Sequence, residues 1–376
     1  MLFFKREYKK TIKEINGINN YDDLKEILDK LNTNKFSKEK IDELKNMLYN
    51  KYKTINSDIF PLIIEYFYRK ENILEFEIAC FLLDKLHTKI EYLTNLENIK
   101  ISEEKFFKLL PIICEIVSKS TTGIADCMYL ILLNFNNCYD KIDEDYKKII
   151  RKSLYKIHFA LDYLKNNDTK PTIEMKKSLE IMVDVARLYN DRNILEFVEN
   201  ALDIDYIEIN LFAVITLICN NVRIYDSYVE ELARDYRTTK RFYKLLRSIG
   251  RLYRFPEEYY KQEHLAIGDM VQWLMHPAEI GDAPDEIELL ETFERNNEIF
   301  YVFKFKSSKE EFKDKGWMIG ISGGYEKDIE PTIDNSGYTF SDFEAYDGNN
   351  AKILVNNIIN KIEKHREEYE KTKINK

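Results

Sequence analysis

The stretch YRKENILEF, residues 68–76, returns as YNDRNILEF at 189–197, an offset of 121 residues. In each copy a tyrosine closes one apolar run, a few polar residues follow, and Asn-Ile-Leu-Glu-Phe opens the next run, which reads as helix, turn, helix. The offset divides into three units of about 40 residues, the length of a two-helix repeat.

Outward from these two points the same grammar holds. DDLKEILDKL, PLIIEYFYRK, ILEFEIACFLLDKL, YKKIIRKSLYKIHFALDYL and INLFAVITLIC carry apolar residues at helical spacing, with short polar joints between them and no convincing strand before residue 255. Residues 1–255 therefore resemble HEAT/armadillo-type repeat proteins. The resemblance implies a right-handed α-solenoid, an architecture whose stacked helix pairs offer a curved face to other macromolecules.

Composition breaks near Pro256. Of 11 glycines, only Gly17, Gly123 and Gly250 precede residue 251, and both tryptophans, Trp273 and Trp317, follow it. Between 256 and 350 there are 22 acidic residues against 8 basic ones, so the net charge of −9 belongs to this region rather than to the chain at large. We expect a small acidic α+β domain over 256–376. EIFYVFKFK, with Ile299, Tyr301, Phe303 and Phe305 on one face, and GWMIGIS predict an antiparallel hairpin. GISGGY predicts a tight turn after the strand, and Pro284 with Asp285 predicts the start of a short helix. An amphipathic helix from about Asn349 turns Ile353, Leu354, Ile358, Ile359 and Ile362 inward. GWMIGISGGY followed by YTFSDFEAYD is similar to the carboxy-terminal segment of some uncharacterised bacterial helical-repeat proteins, over about 35 residues. That likeness implies an ancillary domain on a solenoid and no chemistry.

Several function classes drop out. The three apolar residues after Met1 are too few for a secretory signal, and no run approaches the roughly 18 apolar residues of a membrane span. Cys80, Cys114, Cys127, Cys138 and Cys219 are odd in number and lack the close pairs of a zinc site. They read as buried reduced thiols of a cytoplasmic protein. No cofactor motif is present.

The strongest surface signal is ARDYRTTKRFYKLLRSIGRLYRF, residues 233–255. At about 100° per residue, Arg237, Lys240, Lys244, Arg247, Arg251 and Arg254 share the face opposite Phe242, Leu245, Leu246 and Ile249. Such a stripe is solvated, covered by the acidic region that follows it, or covered by an external acidic ligand. Nucleic acid fits poorly, because the chain is acidic overall and has no second basic cluster to spread phosphate contacts.

A second constellation, Trp273, His276, Glu279, Asp282, Asp285 and Glu286, gathers one imidazole and several carboxylates in QWLMHPAEIGDAPDEIE. Its spacing matches neither HExxH nor an EF-hand. Helix-start chemistry and chain turning explain these residues; the functional alternative is a metal-assisted hydrolase centred on His276 and Glu279. The expectation is a non-enzymatic interaction module with a protein partner and no membrane; the alternatives are the metal-assisted hydrolase and a nucleic-acid-binding HEAT-like protein. A bacterial adaptor or toxin-neutralising role is its analogue at the level of fold. The sequence sets neither the partner nor the oligomeric state.

Overall fold

The structure, a computed structural model, describes residues 10–11, 13–15, 20–31, 33, 36–51, 59–86, 96–120, 123–166, 172–295, 297–327, 330–331 and 338–374. Among the described residues the protein is mostly helical, with one four-stranded antiparallel sheet near its carboxy-terminal end. It divides into two compact units, Met1–Ile204 and Asp205–Lys376. The division falls ahead of the composition break at 255/256, so the helices carrying the basic stripe group with the acidic sheet region.

In the first unit, α1 (Tyr21–Asp29), α2 (Lys38–Lys51), α3 (Phe60–Tyr68), α4 (Ile73–Leu86), α5 (Glu103–Lys119), α6 (Gly123–Asn134), α7 (Glu144–Leu154), α8 (Lys156–Asn166), α9 (Ile173–Ala186) and α10 (Arg192–Ala201) pack on near neighbours in the chain. Thus α4 meets α2, α3 and α5, while α5 meets α6 and α7. Side-chain oxygens start many of these helices by satisfying the free N–H groups of the first turn. Asn20 accepts from the Asp23 N–H at 2.9 Å, Ser102 from Lys105 at 3.4 Å, and Thr172 from Met175 at 3.2 Å. The two repeated stretches behave alike. Tyr68 is the last residue of α3, the Asn72 side chain accepts from the Leu74 N–H at 2.8 Å, and α4 begins at Ile73. Tyr189 follows α9 within a turn, and Asp191 accepts from Asn193 and Ile194 at the start of α10. Both tyrosines are buried.

In the second unit, α11 (Ile207–Cys219), α12 (Asp226–Arg234), α13 (Thr239–Ser248) and α14 (Gln262–Leu274) precede β1 (Glu286–Arg295), β2 (Glu298–Lys306), β3 (Met318–Glu326), β4 (Tyr338–Asp342) and α15 (Ala351–Ile374). The strands lie in the order β1-β2-β3-β4, every neighbour antiparallel. Helix α14 covers one face and α15 the other, so the sheet is the middle of three layers. Tyr301, Phe303, Phe305, Met318 and Tyr325 pack with Ala266, Met270, Val271 and Leu274 of α14. Phe300, Val302, Ile319 and Ile321 pack with Leu354, Ile358 and Ile362 of α15. The near-continuous apolar run of β2 reflects burial on both faces, where the sequence had suggested one.

Three expectations change. Glu286–Arg295 is a strand paired along β2 and not a short helix after Pro284, because its ladder and its half-buried residues outweigh an acidic helix-start signal. GISGGY lies inside β3 and not in a turn. There a Cβ on Gly323 would sit 2.7 Å from the Phe300 Cα, so only glycine lets the two strands approach at the bulge between Ile299 and Phe300. Ile353 of α15 is 63% exposed and does not face the sheet.

Candidate functional site

The structure separates the basic stripe into parts with different surroundings. Lys240, on α13, turns inward and its ammonium contacts the Asp269 carboxylate of α14. Asp269 is 1% exposed and also accepts from the Tyr325 hydroxyl at 2.6 Å. Tyr325 in turn bonds Ser322 at 2.7 Å, and Ser322 lies 3.2 Å from the Thr339 hydroxyl. Burial, then the charge of Lys244, pulls the Lys240 ammonium down to about 8. Here one carboxylate of the acidic region meets one lysine of the stripe, and the result is a strut between α13, α14 and the sheet. Arg237 is held by its near neighbour Asp235, with Nε 3.0 Å from Oδ1 and Nη2 2.6 Å from Oδ2. Lys244 and Arg247 are exposed on α13.

Arg251 and Arg254 belong to a cleft of about 440 Å³, which they line with Arg223, Asn221, Tyr225 and Tyr253. Two helix ends build it. At the end of α11, Asn221 takes a φ of 56°, the Val222 N–H reaches back to the Leu217 carbonyl at 2.9 Å, and Asn221 N–H bonds Ile218 at 3.1 Å. At the end of α13, Gly250 takes a φ of 68°, Arg251 N–H reaches Leu246 at 2.8 Å, and Gly250 N–H bonds Arg247 at 3.1 Å. Both are Schellman endings, in which a left-handed residue lets the chain satisfy the last carbonyls and leave the helix sharply. The Arg251 guanidinium then ties the ends together, donating to Asn221 Oδ1 at 3.2 Å and to the Tyr253 hydroxyl at 3.4 Å. Arg223 and Arg254 have no side-chain hydrogen bond or ion pair among the described residues. Tyr225 and Tyr253 are 79% and 73% exposed. Of the lining side chains only Asp226 is a carboxylate. Three guanidiniums and two rings thus face solvent together, a combination suited to carboxylates or other oxyanions.

The second constellation is dispersed. Trp273 Nε1–H donates to Ser341 Oγ at 3.1 Å, and the Ser341 hydroxyl donates to Glu279. His276 is exposed, its Nδ1 accepting from the Ala278 N–H at 3.2 Å. Asp282 accepts from Ala283 N–H, Asp285 from the N–H and hydroxyl of Ser308, and Glu286 pairs with Lys306 at 3.3 Å. Glu279 and His276 each serve a different neighbour. Among the described residues no group of three or more His, Cys, Asp or Glu is arranged to hold a metal ion.

Cys80, Cys114, Cys127 and Cys138 are buried and Cys219 half-buried, all as free thiols. Burial pushes Cys80 and Cys114 up to about 12, far from the thiolate a nucleophile needs. No described helix is long and apolar enough to cross a membrane.

Arg223, Asn221 and Tyr225 escaped the sequence reading because they follow a different helix from the stripe. The signal available was the Asn220-Asn221 pair closing the apolar run INLFAVITLIC, which marks a helix end. No protein-family model matches the chain, and neither does any curated protein or solved structure.

Proposed function

We propose that the protein is a non-enzymatic binding module that takes an acidic protein partner at the cleft of Arg223, Arg251 and Arg254. The observation that carries this reading is the convergence of three guanidiniums, two of them unengaged among the described residues, beside two exposed tyrosine rings in a chain of net charge −9. Tyrosine and arginine are the residues enriched where partners anchor, and a planar guanidinium fork matches a carboxylate in two parallel hydrogen bonds. In the same reading residues 1–204 form a HEAT-like array. Its support is that both Tyr–NILEF copies lie at the joint between two successive helices, α3 with α4 and α9 with α10.

The test is affinity capture on full-length protein beside Arg223→Glu/Arg254→Glu, with bound proteins quantified by mass spectrometry. Among the described residues these two side chains make no internal bond, so the variant is expected to keep the wild-type fold by circular dichroism. Its partner is retained at least tenfold less well, about 1.4 kcal/mol. Equal retention of every captured protein overturns the assignment.

A further inference from the structure

A second cleft, of about 450 Å³, lies along β4. Its floor is the strand itself, through Tyr338, Thr339 and Phe340. One wall is Trp273 from the end of α14, and the other is Lys361, Lys364 and His365 on one side of α15. Strand β4 ends the sheet order, so among the described residues it has a hydrogen-bonded neighbour, β3, on one side only. A strand edge of this kind presents a row of N–H and C=O groups that another extended chain can pair with. Natural sheets usually blunt such an edge by covering it or by placing charges upon it; here two helices flank it and leave a trough above it.

The trough is chemically selective. Trp273 and Phe340 meet at 5.6 Å between ring centroids, and Tyr338 and Phe340 each meet the His365 ring edge-on at 6.0 Å. These rings offer apolar surface at alternate positions. Lys361 and Lys364 add two ammoniums, and the lining includes no carboxylate although residues 256–350 carry 22 of them. Two of its lining side chains are anchored at Ser341, where the Lys361 ammonium donates to the main-chain carbonyl at 3.2 Å and Trp273 donates to the hydroxyl.

From this juxtaposition we infer that the β4 edge is a docking site for an extended acidic peptide, which adds to the sheet as a fifth strand across Tyr338–Phe340. Main-chain pairing supplies affinity common to any extended chain, and the side pockets choose among sequences. The peptide presents alternate apolar residues to Trp273 and Phe340 and carboxylates to Lys361 and Lys364. The site is independent of the arginine cleft, since the two share no residue.

The test uses full-length protein and a displayed library of random octapeptides. Panning is expected to enrich sequences with Asp or Glu in alternation with apolar residues, and to enrich none on Lys361→Glu/Lys364→Glu. The best sequence, synthesised with a fluorescein label, should bind with saturable anisotropy and perturb Trp273 emission in a Trp317→Phe background. Its affinity should fall at least tenfold in the lysine variant and stay within twofold in Arg223→Glu/Arg254→Glu. It should also fall at least tenfold when alternate amides of the peptide are N-methylated, which removes main-chain donors and keeps every charge. No enriched sequence, equal binding of the N-methylated peptide, or loss of binding in the arginine variant alone would overturn the proposal. So would a single-stranded oligonucleotide that displaces the peptide and binds more tightly.

Discussion

Asp269 has 1% of its surface exposed, and a carboxylate so placed keeps its charge only if partners replace the water it has lost. Lys240 and the Tyr325 hydroxyl are those partners, one on each oxygen. Removing one member of a buried pair leaves the other uncompensated, which costs more than the pair contributes when intact. We therefore expect Lys240→Met to lower the stability of the protein by about 3–5 kcal/mol. Lys240→Met with Asp269→Leu should regain most of that loss, because no charge then remains buried. Urea unfolding of the full chain measures both, and a double variant as unstable as the single one would show that the pair is not the origin of the effect. The sequence offered the acidic region as one of three covers for the stripe, but it singled out neither Lys240 nor Asp269, because the partner belongs to the next long helix, beyond the reach of any local pattern.

At the scale of elements, the crossing that brings Lys240 to Asp269 depends on Gly268. A Cβ there would stand 2.6 Å from the Thr239 methyl and 3.4 Å from the Lys240 Cβ, so glycine sets how closely α13 and α14 approach. Two effects of opposite sign meet in Gly268→Ala. Alanine improves an interior helix position by about 1 kcal/mol, whereas an added methyl in a packed contact costs about 1–3 kcal/mol. The contact is with a short, stiff and fully buried side chain, so the cost is expected to prevail and the variant to be less stable. Thr239→Ser removes the obstructing methyl, and Gly268→Ala made in that background should be neutral or stabilising. Thermal unfolding of the four proteins checks the sign reversal; equal shifts in both backgrounds would refute the steric account. Elements themselves were legible to different degrees. The Tyr–NILEF joints were readable because the helix period and the polar turn are local signals. Strand β1 was not, because Pro284, Asp285 and Glu286 resemble a helix start and the ladder with β2 that decides the matter lies across the hairpin. The arginine cleft was half readable: Arg251 and Arg254 stood in the stripe, while Arg223 arrives from the end of another helix.

At the scale of the whole molecule, the charges oppose one another over distance. The chain carries −9 overall, so an acidic partner is repelled while still far away, yet the cleft presents three guanidiniums at contact. Ionic strength separates the two effects, since charges farther apart than the Debye length, roughly 8 Å at 0.15 M salt, are largely screened. For the wild-type protein, salt weakens both the distant repulsion and the local attraction that orients the encounter, so the association rate with the proposed acidic partner should change little or fall as salt rises. In Arg223→Glu/Arg254→Glu the local field has changed sign and adds to the repulsion. Its association rate should be lowest in dilute buffer and climb with salt, the reverse dependence. Stopped-flow association at about 20 mM and about 150 mM salt distinguishes these slopes, because reversing charges at a rim alters chiefly the encounter rate. Parallel slopes in the two proteins would mean that the partner never passes the guanidiniums on its way to the bound state, and the interface would have to be sought on another face.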